Sequence, residues 1–250
     1  MGKINIKTKA EVAIMTEGGK LLSRVKNEIK NKIKPGVSAM DVEQWAREGI
    51  LKAGAKPSFQ MVRGYRFATC VNVNEGIVHG IPKKEVIFKD GDIVSVDLGM
   101  YFKGFHTDTS FSILLGNDQE KKKFLSAGEE ALARAIKACV IGGQVGDISL
   151  AMENVLRKYG YFPAENLTGH GVGRELHEDP RIPCFVVGSA DERVVICEGM
   201  TLAIEVMYKL TDSKLVLSND GWTISTKDGK ISALFEETVA VTSRGPVVLT

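Results

Sequence analysis

Apolar residues recur at helical spacing in several stretches of this chain of 250 residues. The first stretch, residues 8–33, mixes aliphatic side chains with lysines, which predicts an amphipathic helix that ends before Pro35-Gly36. Residues 38–41 have the pattern of a capping box, so a second helix is expected from there to about Ala53.

The same spacing returns in the second half of the chain. Residues 120–140 predict a third helix, ended by Gly142-Gly143. A fourth helix is expected to begin with Asp147 or Ser149 as its cap and to run through Lys158.

A strand pattern lies between the two helical regions. Residues 93–96 are rich in β-branched side chains and are bounded by glycines, and Lys103-Gly104 is a turn signal before a second such run. If the two runs pair as an antiparallel hairpin with its turn near residues 102–103, Asp97 lies directly opposite Asp108. Their Cβ atoms would then be roughly 5 Å apart on one face.

Two carboxylates so close in an apolar hairpin repel each other unless something neutralises them. They could share a proton after a rise in pKa, or hold a divalent cation between them. The alternative is that Asp97 ends a strand and Asp108 is a solvated turn residue.

The order of the elements repeats itself, with two helices and then strands once before residue 115 and once after it. Residues 91–97 and 199–205 both read as a glycine, an aliphatic run and an acid. Acids commonly end strands, so a chance match is an alternative to duplication. We expect an α+β protein of two pseudo-symmetric halves, about 8–115 and 116–250, with acids from both halves in a shared cleft.

Composition and charge exclude several classes of protein. With 44% hydrophobic and 26% charged residues and a net charge of +2, the chain gives no global case for binding nucleic acid or a membrane surface. No run of about 18 apolar residues and no secretory signal is found. The 4 cysteines are far apart without a C-x-x-C pair, which indicates free thiols and a cytoplasmic protein.

Histidines and acids supply the remaining candidate chemistry. The 4 histidines lie beside glycines, acids or strand ends, although a lone histidine is most often structural. Of Glu236 and Glu237, only one can face a cleft, because neighbouring strand residues point to opposite faces. Several carboxylates with one or two imidazoles are a donor set that suits Mn, Fe, Co or Zn.

A set of motifs in this order resembles one known family. The motifs are Asn74-Glu75 through His79-Gly80-Ile81-Pro82, Val96-Asp97-Leu98-Gly99, His106-Thr107-Asp108-Thr109-Ser110, Gly169-His170-Gly171-Val172-Gly173, Glu205, Asp220-Gly221-Trp222 and Phe235-Glu236. Over nearly its whole length, the chain resembles the type I methionine aminopeptidases of the bacterial kind. The resemblance implies the pita-bread fold, with a central antiparallel sheet, outer helices and residues 1–250 as a single catalytic domain.

The resemblance also implies a metal site and a reaction. The implied ligands of two divalent ions (Co, Mn, Fe or Zn) are Asp97, Asp108, His170, Glu205 and Glu236. Asp108 and Glu236 would bridge the ions, Asp97 would hold one, and His170 with Glu205 the other. A metal-activated water would attack the first peptide carbonyl, with Glu205 as proton shuttle. His177 would stabilise the carbonyl oxygen, and His79 would contact the nitrogen of the second residue.

By the same resemblance, the first-residue pocket involves Phe59, Tyr65, Cys70 and Trp222, although these could be ordinary core residues. Relatives have a smaller residue at position 59 and a histidine at position 237, where this chain has phenylalanine and glutamate. The implied substrates are nascent chains with an initiator methionine and a small second residue. We expect a monomer that meets them transiently at the ribosome, without binding nucleic acid or a membrane. A proline-specific peptidase and a non-catalytic binding protein of the same fold are the alternatives.

Overall fold

A computed structural model of the chain describes residues 4–250. Residues 1–3 lie outside this range. The expected absence of a secretory signal rests partly on them. Within 4–250 the helices are α1 (Lys9–Lys32), α2 (Ala39–Lys52), α3 (Gln119–Ala138) and α4 (Val145–Lys158). The strands are β1 (Lys56–Pro57), β2 (Thr69–Val73), β3 (Gly76–Val78), β4 (Ile93–Phe102), β5 (Phe105–Leu114), β6 (Phe162–Pro163), β7 (Thr168–Gly171), β8 (Glu178–Pro183), β9 (Thr201–Lys209), β10 (Leu215–Leu217), β11 (Ile224–Thr226), β12 (Ser232–Thr242) and β13 (Gly245–Val248).

The helices begin where polar side chains can satisfy their first N–H groups. Ser38 caps α2 in the predicted capping box, in which its hydroxyl accepts the Asp41 N–H at 3.1 Å. The prediction for α4 is wrong, because its N-cap is Gln144 and Asp147 lies inside the first turn. The Asp147 carboxylate accepts the Gln144 N–H at 2.7 Å, so the acid stabilises the helix start without being its first residue.

The strands form one large antiparallel sheet and one small one. In the part of the chain that the structure describes, the large sheet has ten strands in the order β1-β4-β5-β12-β9-β7-β8, with β2 on β4, β6 on β9 and β13 on β12. The small sheet has the order β10-β11-β3. The central strands β4, β5, β12 and β9 therefore join the two halves of the chain side by side.

The four helices cover one face of the large sheet. α1 packs on the apolar face of β4 and β5, and α2 packs on α1 and β2, in a core that includes Val96, Leu98 and Phe111. α3 packs on β9 and β12, and α4 packs on α3 and β8, in a core that includes Ile204 and Phe235. Because side chains alternate along a strand, the residues between these positions point to the opposite face. The expected architecture of a central antiparallel sheet with outer helices is confirmed.

The β4–β5 hairpin differs in register from the prediction. Its two-residue turn is Lys103-Gly104, at φ 48° and 95°, a left-handed conformation that the glycine adopts without strain. Asp97 consequently pairs with Ser110, and Asp108 pairs with Gly99. The prediction that the two aspartates lie directly opposite each other is wrong. They are diagonal neighbours on the same face, which is still close enough for their carboxylates to interact.

Two further expectations concern the membrane and the thiols. No helix within residues 4–250 is long and apolar enough to cross a membrane. All four cysteines are free, as expected, and Cys197 is the exposed one.

Candidate active site

A cavity of about 280 Å³ opens on the sheet face that the helices leave uncovered. It is lined by all eleven side chains that the sequence and the resemblance single out. These are Phe59, Tyr65, Cys70, His79, Asp97, Asp108, His170, His177, Glu205, Trp222 and Glu236. The chain thus brings residues from β2, β4, β5, β7, β9 and β12 and from several loops to one place.

Four carboxylates reach this cavity from the four central strands. Asp97 and Asp108 lie diagonally on β4 and β5, while Glu205 and Glu236 are directly paired on β9 and β12. Glu236 also lies beside Ser110, so β12 joins the two acidic pairs. Because neighbouring side chains on a strand point to opposite faces, Glu236 faces the cavity and Glu237 faces the helices.

One imidazole completes the cluster. The side chains of Asp108, His170 and Glu236 are buried, and each offers a ligand atom within 4.8 Å of the others. His170 Nε2 lies 3.4 Å from Glu205 Oε1, and its Nδ1 lies 2.8 Å from the carbonyl oxygen of Gly171. The carbonyl contact fixes the ring so that Nε2 faces the acids.

The electrostatics of this cluster call for a cation. Burial raises the pKa of Asp97, Glu205 and Glu236 well above the ordinary value, with further repulsion from Asp108, and burial raises the pKa of Asp108 to about 7. Burial, with the nearby His177, lowers the pKa of His170 to about 3, so it is neutral at pH 7 and free to act as a ligand.

Two carboxylate oxygens in the cluster are also unsatisfied. Among residues 4–250, Asp97 Oδ1 and Glu236 Oε1 are buried without a hydrogen-bond partner. Buried anionic oxygens without partners are costly, whereas a coordinated cation supplies both charge and contact. The residues present therefore fit a divalent metal held by oxygen and imidazole ligands.

The remaining two predicted histidines lie at the open side of the cavity. His79 and His177 are both exposed, and the His177 ring stands edge-on to His170 at a centroid distance of 4.5 Å. His79 has a left-handed backbone at φ 57°. Imidazoles at the rim can contact a substrate that enters the cavity. His106 is buried, and its Nδ1 lies 2.9 Å from Ser58 Oγ.

An apolar pocket adjoins the acids. Phe59, Tyr65, Cys70 and Leu176 form one buried cluster, with Trp222 packed against it. The Tyr65 ring meets Trp222 edge-on at 4.9 Å, and its hydroxyl donates to the carbonyl of Thr69 at 2.8 Å. This anchoring holds the walls of the pocket in place.

Part of the cavity lining was not among the predicted residues. Val62, Val78, Asn166, Leu167, Thr168, Leu176 and Met207 also border the cavity. Two of them could have been found, because Met207 shares a strand face with Glu205 and Leu176 directly precedes His177. Asn166 and Leu167 lie in a loop whose position depends on tertiary contacts.

Comparison with known proteins places this arrangement in a family. The model of metallopeptidase family M24 matches residues 13–243 of the chain. The chain belongs to metallopeptidase family M24.

Among M24 relatives, the methionine aminopeptidase of Aquifex aeolicus is 37% identical over 99% of this chain and 98% of its own length. Methionine aminopeptidase 1 of Bacillus subtilis is 39% identical over 98% of each chain. The crystal structure of the Thermotoga maritima methionine aminopeptidase superimposes with a TM-score of 0.95, at 41% identity and 99% coverage of both chains.

These comparisons confirm the resemblance to bacterial methionine aminopeptidases and the pita-bread fold. They also confirm that the chain is a metal-dependent aminopeptidase. The family requires a divalent metal, and the buried cluster of acids with His170 is a candidate site for it.

Proposed function

We propose that the chain removes the initiator methionine from nascent polypeptides whose second residue is small. One observation carries the proposal. Four acids and one histidine adjoin an apolar pocket, in a cavity with two histidines at its rim. Asp108, Glu236 and His170 are buried, and Asp97 and Glu205 are half-buried. Such a site can hold a peptide's free amino end beside a metal while the pocket takes the first side chain.

The proposed metal ligands are the five residues that the resemblance implies. Asp97, Asp108, His170, Glu205 and Glu236 would together hold the ions. Four carboxylates carry a charge that two divalent cations balance, which is consistent with the burial of the acids. Mn, Fe, Co and Zn all accept this donor set. When bound, the ions supply Lewis acidity and lower the pKa of water towards about 7.

Three residues of the chain would then act on the peptide, each in its own role. Glu205 accepts the proton of the attacking water and passes it to the leaving nitrogen. His177 donates a hydrogen bond to the oxygen of the first peptide carbonyl, where negative charge develops. His79 contacts the nitrogen of the second residue and so helps to orient the scissile bond.

The apolar pocket would select methionine. Phe59, Tyr65, Cys70 and Trp222 offer aromatic and thiol surfaces, which favour contact with an unbranched thioether. The preference for a small second residue is the part of the proposal that the family resemblance supplies.

We also infer the setting of the enzyme. The chain would work as one catalytic domain of residues 1–250, built from halves of about 8–115 and 116–250. We expect a cytoplasmic monomer that meets nascent chains transiently at the ribosome and does not bind nucleic acid directly.

The test is metal-dependent release of methionine. Metal-stripped protein would be assayed on Met-Gly-Met-Met with Mn²⁺, Co²⁺, Fe²⁺ or Zn²⁺ added back, beside Asp108→Ala. Neighbouring acids on β12 provide a matched pair of variants, since Glu236→Gln should abolish release and weaken metal binding while Glu237→Gln should retain both.

Two results would contradict the proposal. Hydrolysis of peptides with proline at the second residue, without release from Met-Gly-Met-Met, would indicate a proline-specific peptidase. Metal binding by folded protein without hydrolysis of either substrate would indicate a binding protein of the same fold.

A further inference from the structure

Lys7 is buried, although it lies in the N-terminal segment (residues 4–8) that precedes α1. Its side chain is 1% exposed and that of its ion-pair partner Glu178 is 2% exposed. The Lys7 ammonium also donates to the carbonyl of Asn5 at 3.0 Å. Burying two charges is costly even when they pair, and a pair of apolar residues would serve stability as well. Stability alone therefore does not account for this pair.

Glu178 connects the pair to a second segment, the histidine loop (residues 172–177). Glu178 directly follows His177, and its second oxygen, Oε1, accepts the backbone N–H of Glu175 at 3.1 Å. One carboxylate thus holds both the Lys7 ammonium and the backbone of the loop. The end of the loop that carries His177 is fixed to the N-terminal segment through this group.

The histidine loop also packs directly on the side chain of Lys7. A Cβ at Gly173 would overlap the Lys7 Cε, so the backbone of the loop lies directly against the end of the lysine side chain. The Gly173 carbonyl accepts the His106 N–H at 2.7 Å, which holds the loop against β5 from the other side.

The N-terminal segment is itself anchored beside the site. The Lys7 N–H donates to the carbonyl of Gly199 at 2.8 Å, in the turn that leads into β9 and Glu205. At the surface, Arg174 of the loop pairs with Glu11 in the first turn of α1. The segment that carries Lys7 is therefore fixed to the same sheet as the acids.

From these contacts we propose that the Lys7–Glu178 ion pair is a positioning device, which holds the histidine loop so that His177 faces the cavity. The proposal rests on the function proposed above, in which His177 contacts the peptide carbonyl. Neither charged group lines the cavity, so both act through the loop and not on the substrate.

The test replaces both charges at once, because Lys7→Met alone would leave Glu178 unpaired and could prevent folding. In Lys7→Met/Glu178→Met, apolar side chains of similar length fill the space, but the contact with the Glu175 N–H is lost. We expect kcat on Met-Gly-Met-Met to fall about tenfold or more, while KM and the Mn²⁺ dissociation constant stay within about threefold. Lys103→Met is the control, since it breaks an exposed ion pair with Glu17 and a contact with the Phe102 ring, neither of which lines the cavity, and it should change none of these values.

Amide hydrogen exchange provides a readout that does not depend on activity. In the metal-free double variant, the exchange rate of residues 172–178 should be higher than in the metal-free unaltered protein. The exchange rate of residues 201–209, the strand that carries Glu205, should stay unchanged. This measurement holds even if the protein releases no methionine, so failure of the proposed function and failure of the positioning role are distinguishable.

Three results would overturn the proposal. Exchange in residues 172–178 that does not change would show that the pair does not hold the loop. Faster exchange with an unchanged kcat would show that the position of the loop does not matter to the reaction. A parallel loss of kcat and Mn²⁺ affinity would show that the pair acts on the metal ligands instead.

Discussion

At the scale of single residues, Phe59 is one wall of the pocket that we propose for the methionine side chain. It is 7% exposed, its ring packs edge-on against Tyr65 at 6.5 Å, and its edge lies against the backbone of Gly99. Phe59→Ala would remove contacts with the methionine side chain that exist equally before and during the reaction. We expect kcat/KM on Met-Gly-Met-Met to fall about tenfold or more, chiefly through KM, in steady-state assays.

Phe102 provides the matched control for this prediction. It is a buried phenylalanine of similar exposure, 8%, but it belongs to the core under α1 and α2. Phe102→Ala should lower the free energy of unfolding by about 3 kcal/mol and leave KM unchanged. An unchanged KM in Phe59→Ala would show that Phe59 is a core residue only.

Eleven of the residues that line the cavity could be predicted from the sequence and its family resemblance, but the pairing of the strands that carry them could not. Acids that end or interrupt aliphatic runs and a histidine between glycines are visible as patterns. The choice between Glu236 and Glu237 was open, because alternation says only that they face opposite ways. The two-residue error in the β4–β5 register arose because Lys103-Gly104 fits more than one turn position in the sequence, and tertiary pairing with β12 selects among them.

At the scale of elements, the approach of α3 to the sheet depends on Gly128. A Cβ at this position would lie 2.6 Å from the Tyr208 hydroxyl and 2.7 Å from the ring of Phe235. Helix propensity alone favours alanine over glycine by about 1 kcal/mol. We nevertheless expect Gly128→Ala to lower the free energy of unfolding by about 1–3 kcal/mol, as measured by urea denaturation.

The exposed residue Ser126 on the same helix tests the reasoning. Ser126→Ala should raise stability by a few tenths of a kcal/mol, because only propensity changes there. If Gly128→Ala were equally stabilising, the close packing of α3 on β9 and β12 would be disproved.

A charged network joins α1 to the strands that carry two of the proposed ligands. Lys26 lies 2.7 Å from Glu237 Oε1 and donates to Thr109 Oγ1 at 2.9 Å, and Thr109 directly faces Glu237 across β5 and β12. Lys26→Met leaves Glu237 without its cation, so we expect the free energy of unfolding to fall by about 1–3 kcal/mol. Lys26→Met/Glu237→Leu should recover most of this loss in a double-mutant cycle. Additive losses would mean that the two residues act independently.

Most helices and long strands could be predicted, because the spacing of apolar residues and the capping residues are visible in the sequence. The start of α4 was not, because Gln144 is an uncommon cap and the nearby Asp147 offers a stronger pattern. The short strands β1 and β6 were not predicted either. Each has two residues, too few for a periodic pattern, and exists only because β4 or β9 lies beside it.

At the scale of the whole molecule, the acids that suit the site to a metal lower the stability of the metal-free protein. The central strands place Asp97, Asp108, Glu205 and Glu236 together in a buried position, and burial raises the pKa of all four. A fold that concentrates like charges at its centre is less stable than it could be, and it recovers that stability by binding ions of opposite charge. The sequence indicated the excess of acid, but only the packing of both halves shows how completely it is buried.

This opposition predicts how stability depends on pH in protein treated with a chelator. Above the ordinary pKa of a carboxyl, the unfolded chain has released its protons while the folded cluster still holds some. The folded state then binds more protons, so stability falls as pH rises, by up to about 1.4 kcal/mol per pH unit for each carboxyl that remains protonated. Buried histidines with lowered pKa, such as His170 at about 3, act in the opposite direction only below their unfolded pKa of 6.5. We therefore expect the decline to be clearest from about pH 6.5 upward, where the opposing contribution of the histidines has ended.

Urea denaturation across this range would measure the decline, and Asp97→Asn identifies its source. The variant removes one buried carboxyl, so its stability should fall less steeply with pH than that of the unaltered protein. Saturating Mn²⁺ should raise the stability of the unaltered protein most at the alkaline end, where the cluster has the most charge to neutralise. A flat or rising profile in chelator, or an identical slope in Asp97→Asn, would show that these acids do not resist ionisation in the folded state.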